Sequence, residues 1–523
     1  MSTATPLDNA PDAAAVPDEP ATSDGFVRGL AEAIGGPLGE HAVRPVRSVY
    51  GRGFWTAGRV VLALVCITLS LHWVQKFPCN DGAWSGLEQY KYMCYTDTLA
   101  LYYAEELSEG AVPYKDFPVE YPVVTGAFMG LIGLPVNALG DRAGALNEGQ
   151  LFYNLNVLAL GALAIATVAL LLAVRRKRPW DVAMFAVAPG LFLSATVNWD
   201  LLAIGLTMLG WYFWARSRPA LAGVFIALAA SAKLWPALLA LPLLALCWRA
   251  RRMRDFNTAA WTGVFTLALV NIPVLVLWPD SWARFFQLNS ERPVDWGTFW
   301  YIGANFPLGN DRYGLRPFQW LSDNLPMQNA VSWVVILLAI AAVMLLAVRA
   351  PRRPRLAQVA FLVVALFLVF NKVWSQQFVL WLIPLLVLAR PKWGAFLAWQ
   401  AAEVAYFAAF YGRLMGESGK VIFPEWVFVW ASELRLIMVG VLIWLVVKEI
   451  LHPELDVVRQ TYDDDPDGGV LDGTPDRDDW PEGWTADDEP AAVPVGVPAA
   501  TEEGPLSDER PPDGDEPPTP VRA

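Results

Sequence analysis

Charge is the scarcest property of this chain. Only 17% of its 523 residues are Asp, Glu, Lys or Arg, against roughly a quarter in soluble domains. With 55% apolar residues and 25 Trp, that shortage excludes an ordinary soluble protein. Long apolar runs recur from Val60 to Val447, so the length sets a number of membrane spans rather than of globular domains. Histidine is nearly missing: of the three, His41 and His452 lie outside the apolar body, which excludes a metal site built on histidine. There is no Walker-type phosphate loop and no Gly-rich dinucleotide fingerprint. No basic, aromatic-interleaved stretch points to nucleic acid. No cofactor is expected, and no metal is demanded by the residues present.

Cysteine is also sparse, at four. Cys66 and Cys247 lie in apolar segments, as small buried side chains do. Cys79 and Cys94 flank a polar loop placed outside the cytoplasm, where disulfides persist. A Cys79–Cys94 bridge is therefore predicted just upstream of Asp97.

The net charge of −12 belongs to a tail. Pro453–Ala523 holds 21 acidic and four basic residues, leaving 35 basic against 30 acidic in the rest of the chain. Three regions follow: a cytoplasmic N-terminal segment, 1–53, disordered at its start; an apolar body, 54–452; and an acidic, disordered cytoplasmic tail, 453–523.

Within the body, twelve spans are predicted: Phe54–Val74, Leu151–Val174, Val182–Val197, Leu201–Ala215, Ala220–Ala232, Leu234–Trp248, Ala259–Trp278, Ala330–Val348, Leu356–Phe370, Phe378–Ala389, Trp393–Tyr411 and Trp426–Val447. Basic clusters at Arg175–Arg178, Arg216/Arg218, Arg249–Arg254, Arg349–Arg355 and Arg390/Lys392 follow every second span, so all can face the cytoplasm together with both termini. The segments between them then face outside: Gln75–Gln150, Asn198–Asp200, Lys233–Pro236, Pro279–Pro326, Asn371–Gln377 and Gly412–Glu425. Val123–Leu139 is apolar enough to span, but counting it would invert every later loop. It is read as a juxtamembrane or re-entrant element. Several spans are too short for a full bilayer, which implies a cavity recessed from the outside. The expected fold is an all-α polytopic membrane protein with a large first extracytoplasmic loop.

The stretch Cys94–Pro122 is too polar to cross a bilayer and carries the most suggestive acid, Asp97. Its carboxylate is placed either to cap a helix Thr98–Glu109 or to act as a base. Glu120 and Asp116, near the loop's return to the membrane, are either solvated interfacial carboxylates or substrate contacts. Tyr121 fits an aromatic belt. Asp200, Lys233 and Lys372 each interrupt an apolar stretch, where an unpaired charge is costly. They form mutual ion pairs, or the lysines snorkel, or the three line an outer pocket together with Asn198, Gln376 and Gln377. Arg284, Arg292, Arg312 and Arg316 in the long outer loop are candidates for a lipid phosphate.

Taken in order, Cys94-Tyr-Thr-Asp97, Val119-Glu-Tyr-Pro122, Asn198-Trp-Asp200, Ala230-Ser-Ala-Lys233-Leu-Trp-Pro236 and Asn371-Lys-Val-Trp-Ser-Gln-Gln377 resemble the actinobacterial polyprenol-phosphate-mannose-dependent mannosyltransferases, membrane enzymes of the GT-C fold. The resemblance covers about residues 54–450. It implies a GT-C-like body whose first outer loop carries juxtamembrane helices, Asp97 as general base, and substrate contacts at Asp200, Lys233 and Lys372–Gln377. It also implies an outer-face hexosyltransferase of the cell membrane, of inverting type, that takes a polyprenyl-phosphate sugar to a glycolipid or cell-wall glycan acceptor amid membrane lipids. The residues agree: transfer needs a desolvated carboxylate to take the acceptor proton and cations to steady the leaving phosphate. The alternative is a transporter or flippase of lipid-linked sugars, for which repeats and midplane charges are expected. A scaffold with an acidic recruiting tail would explain the tail but not the outer charges.

Overall fold

The computed structural model describes residues 56–80, 84, 86–140, 147–308, 311–312 and 314–476, with isolated positions between 25 and 32. The N-terminal segment expected over 1–53 and the tail beyond 476 thus lie almost wholly outside the described residues.

Nearly all of the described chain is helical. The only strands among the described residues are the two-residue pair Pro307–Leu308 and Asp311–Arg312. Among the described residues, four helices are long and apolar enough to cross a membrane: Ala57–Asn80, Glu148–Val174, Met253–Leu277 and Leu325–Arg349. Trp261, Phe265, Leu269 and Val276 on the third, and Trp333, Leu337 and Leu338 on the fourth, are more than half exposed. A helix that keeps such residues uncovered needs lipid as its solvent. Shorter apolar helices complete the body, and Trp393–Glu417 packs along Glu425–Leu451.

Helical chain lies in every predicted span over its described residues, but not always as one rod. Val182–Val197 breaks into Pro179–Val182, Ala183–Ala186 and Pro189–Ser194. The break falls where Pro189 forces Ala188 into an extended conformation, φ −60°, ψ 125°. Pro219–Ala230 has 12 residues, about 18 Å of rise, against roughly 30 Å of hydrocarbon. Val123–Leu139 is a 17-residue helix. Its Gly126 lies under Tyr114, so close that a Cβ there would come within 2.5 Å of the ring.

The helices sort their ends. Glu148–Val174 runs into Arg175, Asp200–Ala215 into Arg216, and Leu356–Phe370 starts after Arg355 and ends at Asn371. The arginines therefore collect at one end of the body and the polar turns at the other. At the arginine end the tail departs from expectation. Residues 453–476, expected to be disordered, are folded and half-wrapped in ion pairs. Asp456 pairs with Arg355 (2.7 Å), Asp464 with Arg353 (2.8 Å), Asp467 with Arg175 (3.2 Å) and Asp476 with Arg249 (2.6 Å). Trp214 Nε1 adds a bond to Gly468 O at 2.7 Å. The acidic composition that reads as disorder in isolation is here the counter-charge to a buried arginine cluster.

At the other end Cys79 and Cys94 form a disulfide, Cα–Cα 6.1 Å, closing the helix Ala57–Asn80 onto the polar loop. Lys76, fully buried beside it, donates to Met93 O at 2.9 Å. Cys79→Ser is expected to cost about 3 kcal/mol in the chain-entropy account of a loop of this size. Thermal unfolding with and without reductant checks this, and equal midpoints would refute it.

Candidate active site

Asp97 opens the helix Asp97–Ala104, but it is not the cap. That role falls to Thr96, whose Oγ1 accepts from Thr98 N at 3.2 Å and donates to Thr196 O at 2.7 Å. The helix is also shorter than the expected Thr98–Glu109, since Glu106 turns left-handed (φ 54°) before a short 3₁₀ turn, Leu107–Glu109. With capping done by Thr96, the Asp97 carboxylate is released for other contacts. Its backbone N–H donates to Val197 O at 2.8 Å, so the helix start is tied to the turn that carries Asn198.

Asn198 Nδ2 donates to Asp97 Oδ2 at 2.8 Å and to the Tyr121 hydroxyl at 2.5 Å. Gln377 Nε2 reaches the same carboxylate oxygen at 3.4 Å, and the Tyr95 side chain bonds the carboxylate as well. Burial pushes the Asp97 carboxyl above its usual range; the Asn198 and Tyr95 bonds and the Lys233 charge pull the other way, and Asp200 adds to the rise.

Lys233 sits at the turn after Pro219–Ala230. Val124 N–H donates to Ser231 O, and Thr125 Oγ1 to Ala232 O, both at 2.8 Å. The helix Val123–Leu139 is thereby hooked to the Lys233 turn, which brings Tyr121 beside the lysine. Lys233 Nζ lies 2.9 Å from Asp200 Oδ1 and within 6.0 Å of the Tyr121, Phe378 and Trp381 ring centroids. Trp381 Nε1 donates to Asp200 Oδ1 at 2.6 Å. Asp200 Oδ2, fully buried, has no hydrogen-bond partner among the described residues.

These groups line a cavity of about 870 Å³, within the size range of small-molecule sites. Asp97, Glu120, Tyr121, Asn198, Lys233, Lys372, Gln376 and Gln377 all reach its wall; Asp200 lies behind Lys233 and does not. One wall is aromatic and apolar, with Phe285, Phe286, Trp333, Ile336 and Trp381. Lys372 is engaged elsewhere: its Nζ donates to Arg292 O at 2.7 Å and Ser290 O at 3.3 Å. Desolvation, then the Arg292 charge, bring its ammonium down to about 8. Glu120 offers its N–H to Glu105 Oε1 at 3.1 Å, and burial raises Glu105 to about 7. Asp116 closes a local turn, accepting from Val112 N at 2.9 Å, away from the cavity. Of the loop arginines with described side chains, Arg292 alone lines the cavity, 3.4 Å from Asp295. Among the described residues, no group of three or more His, Cys, Asp or Glu is placed to hold a metal ion.

Tyr95, Trp381, Phe378 and Asp295 escape sequence reasoning. Three are aromatic in an aromatic-rich chain, and only Tyr95, two residues before Asp97, carried a positional hint.

Residues 128–371 match glycosyltransferase family 87. No curated protein matches the chain. The family match indicates a membrane glycosyltransferase, a class whose substrates are a sugar donor and an acceptor at the membrane. The matched stretch holds Asn198, Asp200 and Lys233; Asp97, Glu120, Tyr121, Gln376 and Gln377 lie outside it and join the site through the fold.

Proposed function

We propose that the chain transfers a hexose, mannose by the resemblance of its motifs, from a polyprenyl-phosphate donor to a glycolipid or glycan hydroxyl on the outer face of the cell membrane. The observation that carries this reading is the buried Asp97 carboxylate on the wall of a cavity that is polar on one side and aromatic on the other. Asp97 takes the proton of the acceptor hydroxyl as the acceptor oxygen bonds to the anomeric carbon. The bond from that carbon to the phosphate oxygen breaks, and the phosphate leaves with its electron pair. A single displacement of this kind inverts the anomeric centre. A raised pKa makes the carboxylate a better proton acceptor near neutral pH. Arg292, half-exposed at the cavity wall, and Lys233 are the cations within reach of the leaving phosphate. The aromatic wall suits an isoprenoid chain. The proposed frame is a GT-C-like body of about twelve spans, with the arginine end and both termini cytoplasmic.

The test is transfer by the purified full chain in lipid nanodiscs, supplied with radiolabelled polyprenyl-phosphate mannose and total membrane lipid. Label is expected in a new lipid-extractable or glycan product. Movement of intact donor across vesicles with no product formed would replace this reading by that of a flippase.

A further inference from the structure

Arg435 lies in the helix Glu425–Leu451, contacts no residue assigned above to proton transfer, and is fully buried. Its guanidinium carbon is 3.6 Å from the Tyr406 ring centroid and 4.1 Å from that of Trp374. Nη2 donates to Gly297 O at 3.0 Å and to Trp374 O at 3.3 Å. A guanidinium withdrawn this far from water is costly unless its surroundings use it. Here it joins two turns that are 77 residues apart in the chain.

Both turns belong to the cavity wall. Gly297 follows Arg292 and Asp295; Trp374 lies between Lys372 and the Gln376–Gln377 pair. They are cross-tied further by Asp295 N–H to Lys372 O at 2.8 Å and by Trp300 Nε1 to Phe370 O at 2.8 Å. Gly297 has φ +71°, and a Cβ there would stand 2.6 Å from the Tyr406 ring. Only glycine lets the backbone lie against that ring with its carbonyl turned to Arg435.

We propose that Arg435 is a positioning residue: it locks the turns Arg292–Thr298 and Asn371–Gln377 into one wall and so holds the Gln377 amide against Asp97. Its kinetic consequence rests on the transfer reaction proposed above; the locking itself does not. The groups facing Asp97 are Tyr95, Tyr121, Asn198, Gln377, Tyr411, Lys233 and, behind the lysine, Asp200. Gln377 is the one that arrives on the locked turn. Its amide favours the charged carboxylate, so displacing it moves the acidic limb of the rate profile to higher pH.

Two variants test this in the full chain in nanodiscs. Arg435→Lys keeps the charge but lacks the planar fork that covers both rings. Gly297→Ala disturbs the same contact from the other side. Hydrogen exchange is expected to quicken at least tenfold in Arg292–Thr298 and Asn371–Gln377, with residues 456–474 unchanged. Transfer is expected to fall at least tenfold, with the acidic limb displaced upward. Arg355→Lys, an equally buried arginine at the opposite end, is the control and should leave the limb in place. Unchanged exchange in both turns overturns the proposal, as does quickened exchange with rate and limb held within twofold of wild type. If the wild type transfers no sugar, the exchange result still decides the locking, and only the transfer reading falls.

Discussion

Asp97→Asn is expected to lower sugar transfer by about 10²–10⁴-fold, the range that general bases contribute, while leaving the fold as stable as before or more so. The two halves have one cause. Asparagine keeps the size of aspartate and an oxygen able to accept from Asn198 and Gln377, but it cannot take a proton. It also removes a charge from a buried place. Because burial raises the Asp97 carboxyl above its usual range, the folded state holds this proton more tightly than the unfolded chain does. The stability this gives is full below the ordinary carboxylate pKa and is lost as pH rises through the folded value. Wherever Asp97 is ionised it is thus a burden on the fold, one that the amide lifts. Glu105, raised to about 7, follows the same rule, with its stability lost between 4.5 and about 7. The wild-type rate is expected to fall as acid protonates Asp97, and the residual Asp97→Asn rate to lack that limb. Transfer assays across pH, paired with thermal melting, check both parts. Equal transfer by the two proteins sinks Asp97 as base, and a sharply lower melting temperature contradicts the account of its burial.

The contrast between what could be read from the chain and what could not has a physical pattern. The arginine clusters were legible because membrane orientation writes charge into loops at every second span, and the helices deliver them to one end. The acids and lysines that break apolar runs were legible because a charge in such a run is conspicuous. Their partners were not. Asp200 and Lys233 meet because two helices end together, whereas Lys372 turns to the carbonyls of Ser290 and Arg292. The sequence left a mutual ion pair open beside snorkelling and a shared pocket, and spacing did not choose between them. Of the two readings open for Asp97, capping falls away because Thr96 is an equally good cap, and the choice is made by Thr196 O, a partner 100 residues away. The folded part of the acidic tail was hidden for a related reason. Composition alone cannot anticipate that Arg355, Arg353 and Arg175 wait for it. Arg435 shares that invisibility: its meaning lies in two distant carbonyls and two rings.

Lys233 has two roles that substitution can separate. It lines the cavity, where it is available to the leaving phosphate, and it neutralises Asp200, which is buried with a second carboxylate oxygen that has no hydrogen bond from the described residues. Lys233→Met leaves Asp200 charged with only Trp381 Nε1 as donor, and breaking a buried pair in this way costs about 3–5 kcal/mol. Loss of folded protein is therefore the expected result for the single variant. Removing both charges, Asp200→Asn with Lys233→Met, is expected to recover most of that stability, because the replaced pair no longer has a desolvation penalty to offset. If Lys233 acts only as the partner of Asp200, transfer returns with the fold. If it steadies the departing phosphate, the double variant folds but stays at least tenfold slower, since a positioned cation is lost from the transition state and a neutral thioether does not replace it. Melting temperature and transfer rate for the two single variants and the double variant complete the cycle. Full recovery of both would assign the phosphate to Arg292, and recovery of the fold alone keeps Lys233 in the chemistry.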